Sequence, residues 1–253
     1  MNTDHGIRYF LVMNALTDPC VGIVGKGRLG RALALAFRGA EVRVIGPLGR
    51  GGNGAGADVV LLCVPDAAIA TAARAIGPGS LVGHCSGIST LAPLAPHEAF
   101  SFHPLMTVAG DAMVSFAGAG CAIAGSTARA FEVARTLATR LMMRPFTVTD
   151  EDRDVYHAAA SMASNYLVTL EGAAELLGAN AGVERELFVP LVRAAVENWA
   201  RLGARGALTG PIARGDEATA RRQRAAVEAR APRLLPLWDA MATATRALAA
   251  DEA

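Results

Sequence analysis

A chain of 253 residues with 52 % hydrophobic side chains can bury a large core and allows one or two domains. Its net charge of +1 offers no basic excess for a nucleic-acid surface, and an aromatic share of 5 % suits helices packed through small side chains. No apolar run is long enough to span a membrane, and Cys20, Cys63, Cys85 and Cys121 lack paired ligand spacing, so they read as reduced, buried thiols of a cytoplasmic protein.

Residues 1–18 read as a poorly ordered leader. The run Tyr9–Met13 is too short for a signal h-region, and Met13 is an alternative start. A strand over Cys20–Gly25 runs into a helix over Arg28–Arg38, ended by Gly39. Glu41–Gly46 alternates as a second strand, and Pro47–Gly56 is a glycine-rich loop. Asp58–Val64 is a continuous apolar run, expected of a central parallel strand covered on both faces. Pro65-Asp66 breaks it, with Asp66 able to cap a helix over Ala67–Ile76. Further strands are expected over Ser80–His84, Ala99–His103, Cys121–Ala124 and Arg144–Val148, with a helix over Ser126–Leu141. This alternation predicts a doubly wound, mostly parallel Rossmann sheet over residues 19–149.

At Thr149-Asp150-Glu151-Asp152 the pattern turns helical throughout, which predicts an all-α domain over 150–253. Its first helix runs from Asp152 to Leu177, with Val155, Ala159, Met162, Tyr166, Leu170, Ala173 and Leu177 on one face. Glu184–Leu202 forms a second helix. A loop over Leu208–Asp216 precedes two more helices, split near Pro232, with Asp216 as the N-cap of the first.

The pattern Gly25-Lys26-Gly27-Arg28-Leu29-Gly30 follows the first strand and opens the first helix. That context makes it the dinucleotide fingerprint: Gly25 for the tight turn, Gly27 for close approach of a pyrophosphate, Gly30 for helix–strand packing. Lys26 and Arg28 oppose the helix dipole unless an anion sits there, or else point into solvent. Sites that prefer NAD place an acidic residue at the end of the second strand. Gly46 occupies that place and Arg50 lies just beyond, which favours NADP(H) over NAD(H).

Ligands of open α/β sheets bind at the carboxyl ends of the strands. His84 and Ser86 in His84-Cys85-Ser86-Gly87, and His103 after the next strand, are therefore expected near a nicotinamide; the other reading has both histidines hydrogen-bonded to loop backbone. His84, Cys85 and His103 carry no recognised metal spacing, so no metal is expected. His157, Ser161 and Ser164 share the polar face of the long helix, with Asn165 on its flank. These small uncharged hydrogen-bonding residues suit a cleft better than a solvated surface. Thr209 and Arg214 sit in a loop shaped by Gly210, Pro211 and Gly215 and could offer a hydroxyl and a guanidinium to an anionic substrate.

Together Gly25–Gly30, Val64-Pro65-Asp66, His84-Cys85-Ser86-Gly87, Phe102-His103-Pro104-Leu105, Tyr156-His157-Ala158-Ala159, Ser164-Asn165-Tyr166, Leu208-Thr209-Gly210-Pro211 and Arg214-Gly215-Asp216 resemble a bacterial family that joins a Rossmann-like domain to an all-helical domain of unknown function. The resemblance implies the superfamily whose C-terminal domain is like that of 6-phosphogluconate dehydrogenase, to which pyrroline-5-carboxylate reductase and deazaflavin-dependent NADP reductases also belong. It implies a homodimer formed through the helical domains and an active site in the cleft between domains. His103-Pro104-Leu105-Met106 is also similar to a segment of prephenate dehydrogenases, but the rest of that pattern is missing. The catalytic lysine of hydroxyacid relatives has no counterpart, since Lys26 is the only lysine.

The expectation is an NADP(H)-dependent oxidoreductase for a small carbonyl, imine or hydroxy compound, without nucleic-acid or membrane partners. His84, Ser86, His157 and Asn165 are its catalytic candidates. Gly25, Lys26, Gly27, Arg28, Leu29, Gly30, Arg50, Val64 and Pro65 are its cofactor contacts, and His103, Ser161, Thr209 and Arg214 its substrate contacts. The competing expectation is a dinucleotide-binding regulatory or sensor protein without turnover.

Overall fold

The structure is a computed structural model that describes residues 19–110 and 114–250; the expected leader lies outside the described residues. The chain divides into two compact units after Ser161, beyond the boundary expected at 149. The first holds β1 (Val21–Val24), α1 (Arg28–Gly39), β2 (Val44–Leu48), β3 (Val59–Leu62), α2 (Ile69–Arg74), β4 (Leu81–His84), β5 (Ala99–Leu105), β6 (Gly120–Gly125), α3 (Ala128–Arg140), β7 (Arg144–Phe146) and α4 (Arg153–Ser161).

The seven strands form one sheet in the order β2-β1-β3-β4-β5-β6-β7. β1 to β5 are parallel, β6 runs antiparallel to β5, and β7 is parallel to β6. This is the expected doubly wound, mostly parallel sheet. Successive side chains of a strand point to opposite faces, and the two faces carry separate cores. Val21, Ile23, Phe100 and Phe102 pack with Leu33 and Phe37 of α1 and with Val133 and Leu137 of α3. Val24, Val60 and Leu62 pack with Ile69 and Ala73 of α2 and with Leu94. Thr127 caps α3 by accepting the Ala130 N–H at 3.0 Å. Where β4 and β5 lie side by side, a Cβ on Gly83 would fall 2.3 Å from the Phe100 ring.

Two local expectations are corrected. The second strand begins at Val44 rather than Glu41 and continues through Pro47. Glu41 has a φ of +61° in the turn after α1, and the Val42 N–H donates to the Phe37 carbonyl at 2.9 Å, so neither residue is free to pair as strand. Pro47 is tolerated because β2 is an edge strand that needs no donor on its outer side. Asp66 opens a short 3-10 turn, Asp66–Ala68, without a side-chain cap, and is not the N-cap of α2.

The helix after Asp152 turns its polar side inward in the first unit. The apolar face is open in α4: Val155 is 66 % exposed, whereas Arg153 is 4 % exposed and Tyr156, His157, Ala160 and Ser161 are half-buried. The polar face is the enclosed one. Tyr156 holds it there, its ring 5.9 Å from that of Phe146 at the end of β7.

The second unit opens with a π-helical turn over Met162–Tyr166, followed by α5 (Leu167–Ala179), α6 (Arg185–Ala207), α7 (Glu217–Arg230) and α8 (Leu235–Ala250). α5 and α6 approach through Gly178, where a Cβ would lie 2.4 Å from the Phe188 ring. Gly203 breaks the helical path of α6 with a φ of +72°. Asp216 caps α7 by accepting the Thr219 N–H at 3.0 Å, as expected. Arg224 grips Asp239 through two bonds of 2.8 and 2.9 Å, joining α7 to α8. Among the described residues no helix is long and apolar enough to cross a membrane.

The close β4–β5 contact makes Gly83 a sensitive position. Gly83→Ala should lower stability by about 1–3 kcal/mol through overpacking against Phe100, read as a lower urea midpoint.

Candidate active site

Gly25 has a φ of +125°, and a Cβ there would lie 2.1 Å from the Cys63 carbonyl oxygen. A Cβ on Gly30 would lie 2.0 Å from the carbonyl oxygen of Gly25. Both positions must be glycine for α1 to start where β1 and β3 end. Gly27 differs: a Cβ there would meet nothing within 4 Å, so its backbone faces open space. It precedes α1 without a side-chain cap, and no acidic residue follows in the first turn. The first N–H groups of α1, with exposed Lys26 and Arg28, leave a positive end open to an anion. Leu29 is half-buried against the core. Arg31 fixes the loop by donating to the Lys26 carbonyl at 2.8 Å.

The chain leaves β1 to β2 on one side and reaches β3 on the other, so this loop stands at the switch point of the sheet. Half-buried Val64 and exposed Pro65 follow β3 on its far side. Leu48 pairs with Val24, and the Gly25 N–H donates to the Leu48 carbonyl at 2.8 Å. The end of β2 is therefore Leu48-Gly49 rather than Gly46, and it again carries no carboxylate. Lys26 takes that place: its Nζ lies 3.8 Å from where a Gly49 Cβ would be. Arg50 follows, exposed.

At the end of β4, His84 is fully buried. Its Nδ1 accepts the Ser86 N–H at 3.2 Å, which leaves Nε2–H to donate to the Thr90 carbonyl at 3.0 Å. Burial lowers its pKa. Ser86 is used locally as well: its Oγ accepts from the N–H groups of Ile88 and Ser89 at 3.3 and 3.0 Å and donates to the Ser89 Oγ at 3.0 Å. These two residues shape the loop, and neither has a polar atom left for a substrate.

The loop they shape presents Gly87. A Cβ on Gly87 would meet His103 Nε2 at 2.9 Å and His157 Cδ2 at 3.0 Å, so both imidazoles lie against bare backbone. The two rings are 6.4 Å apart. His103 Nδ1 is 2.6 Å from the Tyr156 hydroxyl, with the rings edge to face at 5.6 Å. Burial, then the neighbouring His157, hold the His103 pKa down at about 4. Burial pushes the Tyr156 hydroxyl up to about 12. At neutral pH the imidazole is neutral and the phenol protonated; in the Nε2–H tautomer Tyr156 donates to Nδ1 and Nε2 turns its proton toward Gly87.

Arg153 completes the enclosed face, with Nε donating to Asp150 Oδ1 at 2.7 Å. Ser161 lies farther along the same face. Asn165, Thr209 and Arg214 belong to the second unit, where all three are exposed and are not joined by side-chain bonds. Among the described residues no group of three or more His, Cys, Asp or Glu could hold a metal ion.

Sequence reasoning missed Tyr156 and Arg153. The signal was helical spacing: they precede His157 by one and four positions, on the face already singled out as polar.

Residues 119–245 match a family described as Domain of unknown function (DUF2520). No curated protein matches the chain in sequence. Solved structures share its fold. A candidate NADP oxidoreductase from Bacteroides fragilis aligns with a TM-score of 0.79 at 20 % identity over 91 % of this chain and 98 % of that one. A protein from Thermotoga maritima aligns at 0.71 and 23 % identity, over 90 % and 98 %. A reductive aminase from Aspergillus terreus, in complex with NADPH and ethyl-5-oxohexanoate, aligns at 0.63 and 18 % identity, over 91 % and 95 %.

The depressed His103 pKa has a consequence for stability. The native imidazole stays neutral down to about pH 4, while in the unfolded chain it takes a proton near its ordinary 6.5. Between these values the unfolded state binds more protons, so stability falls as pH is lowered. Wild type should lose up to about 3 kcal/mol through this group across that window. His103→Gln should lack this part of the loss, as read by urea unfolding at pH 7 and 4.5.

Proposed function

The chain belongs to the family described as Domain of unknown function (DUF2520), and we propose that it is an NADP(H)-dependent oxidoreductase acting on a small carbonyl, imine or hydroxy compound. The observation that carries this reading is the His103–Tyr156 hydrogen bond beside Gly87, at the carboxyl ends of β4 and β5. The fold shared with the candidate NADP oxidoreductase and with the NADPH-bound reductive aminase supports it.

The Gly25–Gly30 loop and the start of α1 fit a pyrophosphate, as the open backbone at Gly27 and the uncapped helix indicate. Lys26 and Arg50 at the end of β2 suit a 2′-phosphate, which supports NADP(H) over NAD(H). When bound, the nicotinamide supplies or accepts a hydride. The chain's own residues then handle the proton. His103 Nε2–H donates to a substrate oxygen or nitrogen beside Gly87 while Nδ1 takes the Tyr156 proton. In this relay no buried imidazolium forms, which matters because burial disfavours that cation. Burial disfavours the phenolate left on Tyr156, and the positive charge of Arg153 offsets part of that cost. His157, half-buried against the same side of Gly87, is placed to pass a proton between the pair and solvent. His84 and Ser86 act in this reading as positioning residues for the Gly87 loop.

The reading includes a homodimer formed through the helical unit. Leu187, Leu191, Val196, Trp199 and Leu202 of α6 are exposed apolar side chains, as are Met162, Tyr166 and Val168 before it. Large apolar side chains left open on successive helical turns suit a protein–protein interface. Four free thiols suit a reducing cytoplasm.

Titration should give a Kd for NADPH about tenfold or more below that for NADH, a gap that the double variant Lys26→Ala/Arg50→Ala closes. Absence of NADP(H) binding would sink the proposal. With a substrate in hand, Tyr156→Phe and His103→Gln should each reduce kcat by roughly 10²–10⁴-fold without altering the nucleotide Kd; binding without turnover over a wide carbonyl panel favours a sensor.

Light scattering tests the assembly. Wild type should have twice the chain mass of 26.1 kDa, and Leu191→Asp/Trp199→Asp should run as a folded monomer.

A further inference from the structure

Arg153 is the only charged side chain among the described residues that is buried. It stands in the first turn of α4, where the helix dipole disfavours a cation. Burial disfavours it again. One interaction offsets both: Nε to Asp150 Oδ1 at 2.7 Å, and that carboxylate is 60 % exposed. The guanidinium has five N–H donors. Among the described residues its Nη groups have no hydrogen-bond partner, although the side chain is only 5 % exposed. Among the described residues no side-chain nitrogen or oxygen that is sealed from solvent lacks a partner. The unpaired Nη groups therefore keep a small exposure to solvent.

Arg153 itself borders the site already described. Arg153 lies one turn before Tyr156 and His157 on the same helix face. Its charge is felt at His84, His103 and Tyr156. An enclosed cation with its planar fork open, beside a neutral histidine that can donate a proton, matches a small molecule bearing an anion and a reducible group.

We propose that Arg153 is the substrate-anchoring residue of this site and that it binds a carboxylate through its Nη groups, so that the substrates are small carboxylic acids carrying the reacting carbonyl, imine or hydroxyl. The choice of reacting group rests on the oxidoreductase reading; the anion site does not. The exposed Arg214, expected to meet an anion from its loop, is not needed for this role.

The test uses the full chain, with and without NADPH, and ligand-observed NMR titration. The probes are acetate, 2-oxobutyrate, 2-oxoglutarate and benzoate, each beside its methyl ester. At least one acid should bind wild type tenfold or more tightly than its ester. Arg153→Gln should abolish that preference, and Arg153→Lys should keep part of it, since an ammonium retains the charge without the fork. The proposal is overturned if no acid binds wild type in preference to its ester, or if the preference survives in Arg153→Gln. The acid–ester comparison needs only wild type, so it decides even where Arg153→Gln fails to fold; Arg153→Lys then reports whether the site is this one, an unchanged preference counting against it. NADPH titration of the same samples separates the two readings. Acid preference without NADPH binding keeps the anion site and removes the oxidoreductase. NADPH binding without acid preference does the reverse.

Discussion

Two missing side chains set the architecture of the first unit. Gly30 rests on the carbonyl oxygen of Gly25, and Gly25 rests on that of Cys63, at distances no Cβ could share. These contacts lock the end of β1, the start of α1 and the end of β3 into one cluster of backbone. The sheet then grows outward from it, with β2 on one side and β3, β4 and β5 on the other. Because all five strands are parallel, their carboxyl ends share one edge. The glycine loop, Gly87 and His103 are brought to that edge by topology, although they are far apart in sequence.

Much of this was legible from residue order. Glycines at fixed spacing between an apolar run and a helical pattern have few other physical explanations, and a run such as Val59–Leu62 implies a strand covered on both sides. Local turns were less legible. Whether Glu41 pairs as strand or turns with positive φ depends on α1 packing behind it, which alternation alone does not report. The site was legible by neighbourhood but not by role. His84 looked chemical because it follows a strand, yet its nitrogens are consumed by Ser86 and Thr90, and only a folded loop reveals that. Tyr156 lies on the polar face of its helix, but nothing in that local pattern shows that its hydroxyl sits on His103, a residue 53 positions away.

The inverted face of α4 follows from the same physics. Amphipathicity reports two unlike faces and does not say which one meets the rest of the chain. The rule that apolar faces pack inward assumes that the chain supplies the only interior. Here Arg153, Tyr156 and His157 turn inward because they find partners there in Asp150, His103 and the Gly87 backbone. A buried polar group is tolerable when it is paired, as the Tyr156 hydroxyl is by His103 and the Arg153 Nε by Asp150.

β7 is only three residues long, and Phe146 lies level with Ala122, which pairs with His103. β6 and β7 both run away from the edge where β1 to β5 end. Each further residue of β7 would carry the chain about 3.3 Å in that direction before it could turn. The shortness of this strand therefore works as a tether setting. It releases the chain while it is still beside His103, and α4 starts within reach of the site. Strand length, a quantity with no chemistry of its own, decides whether Tyr156 has a partner.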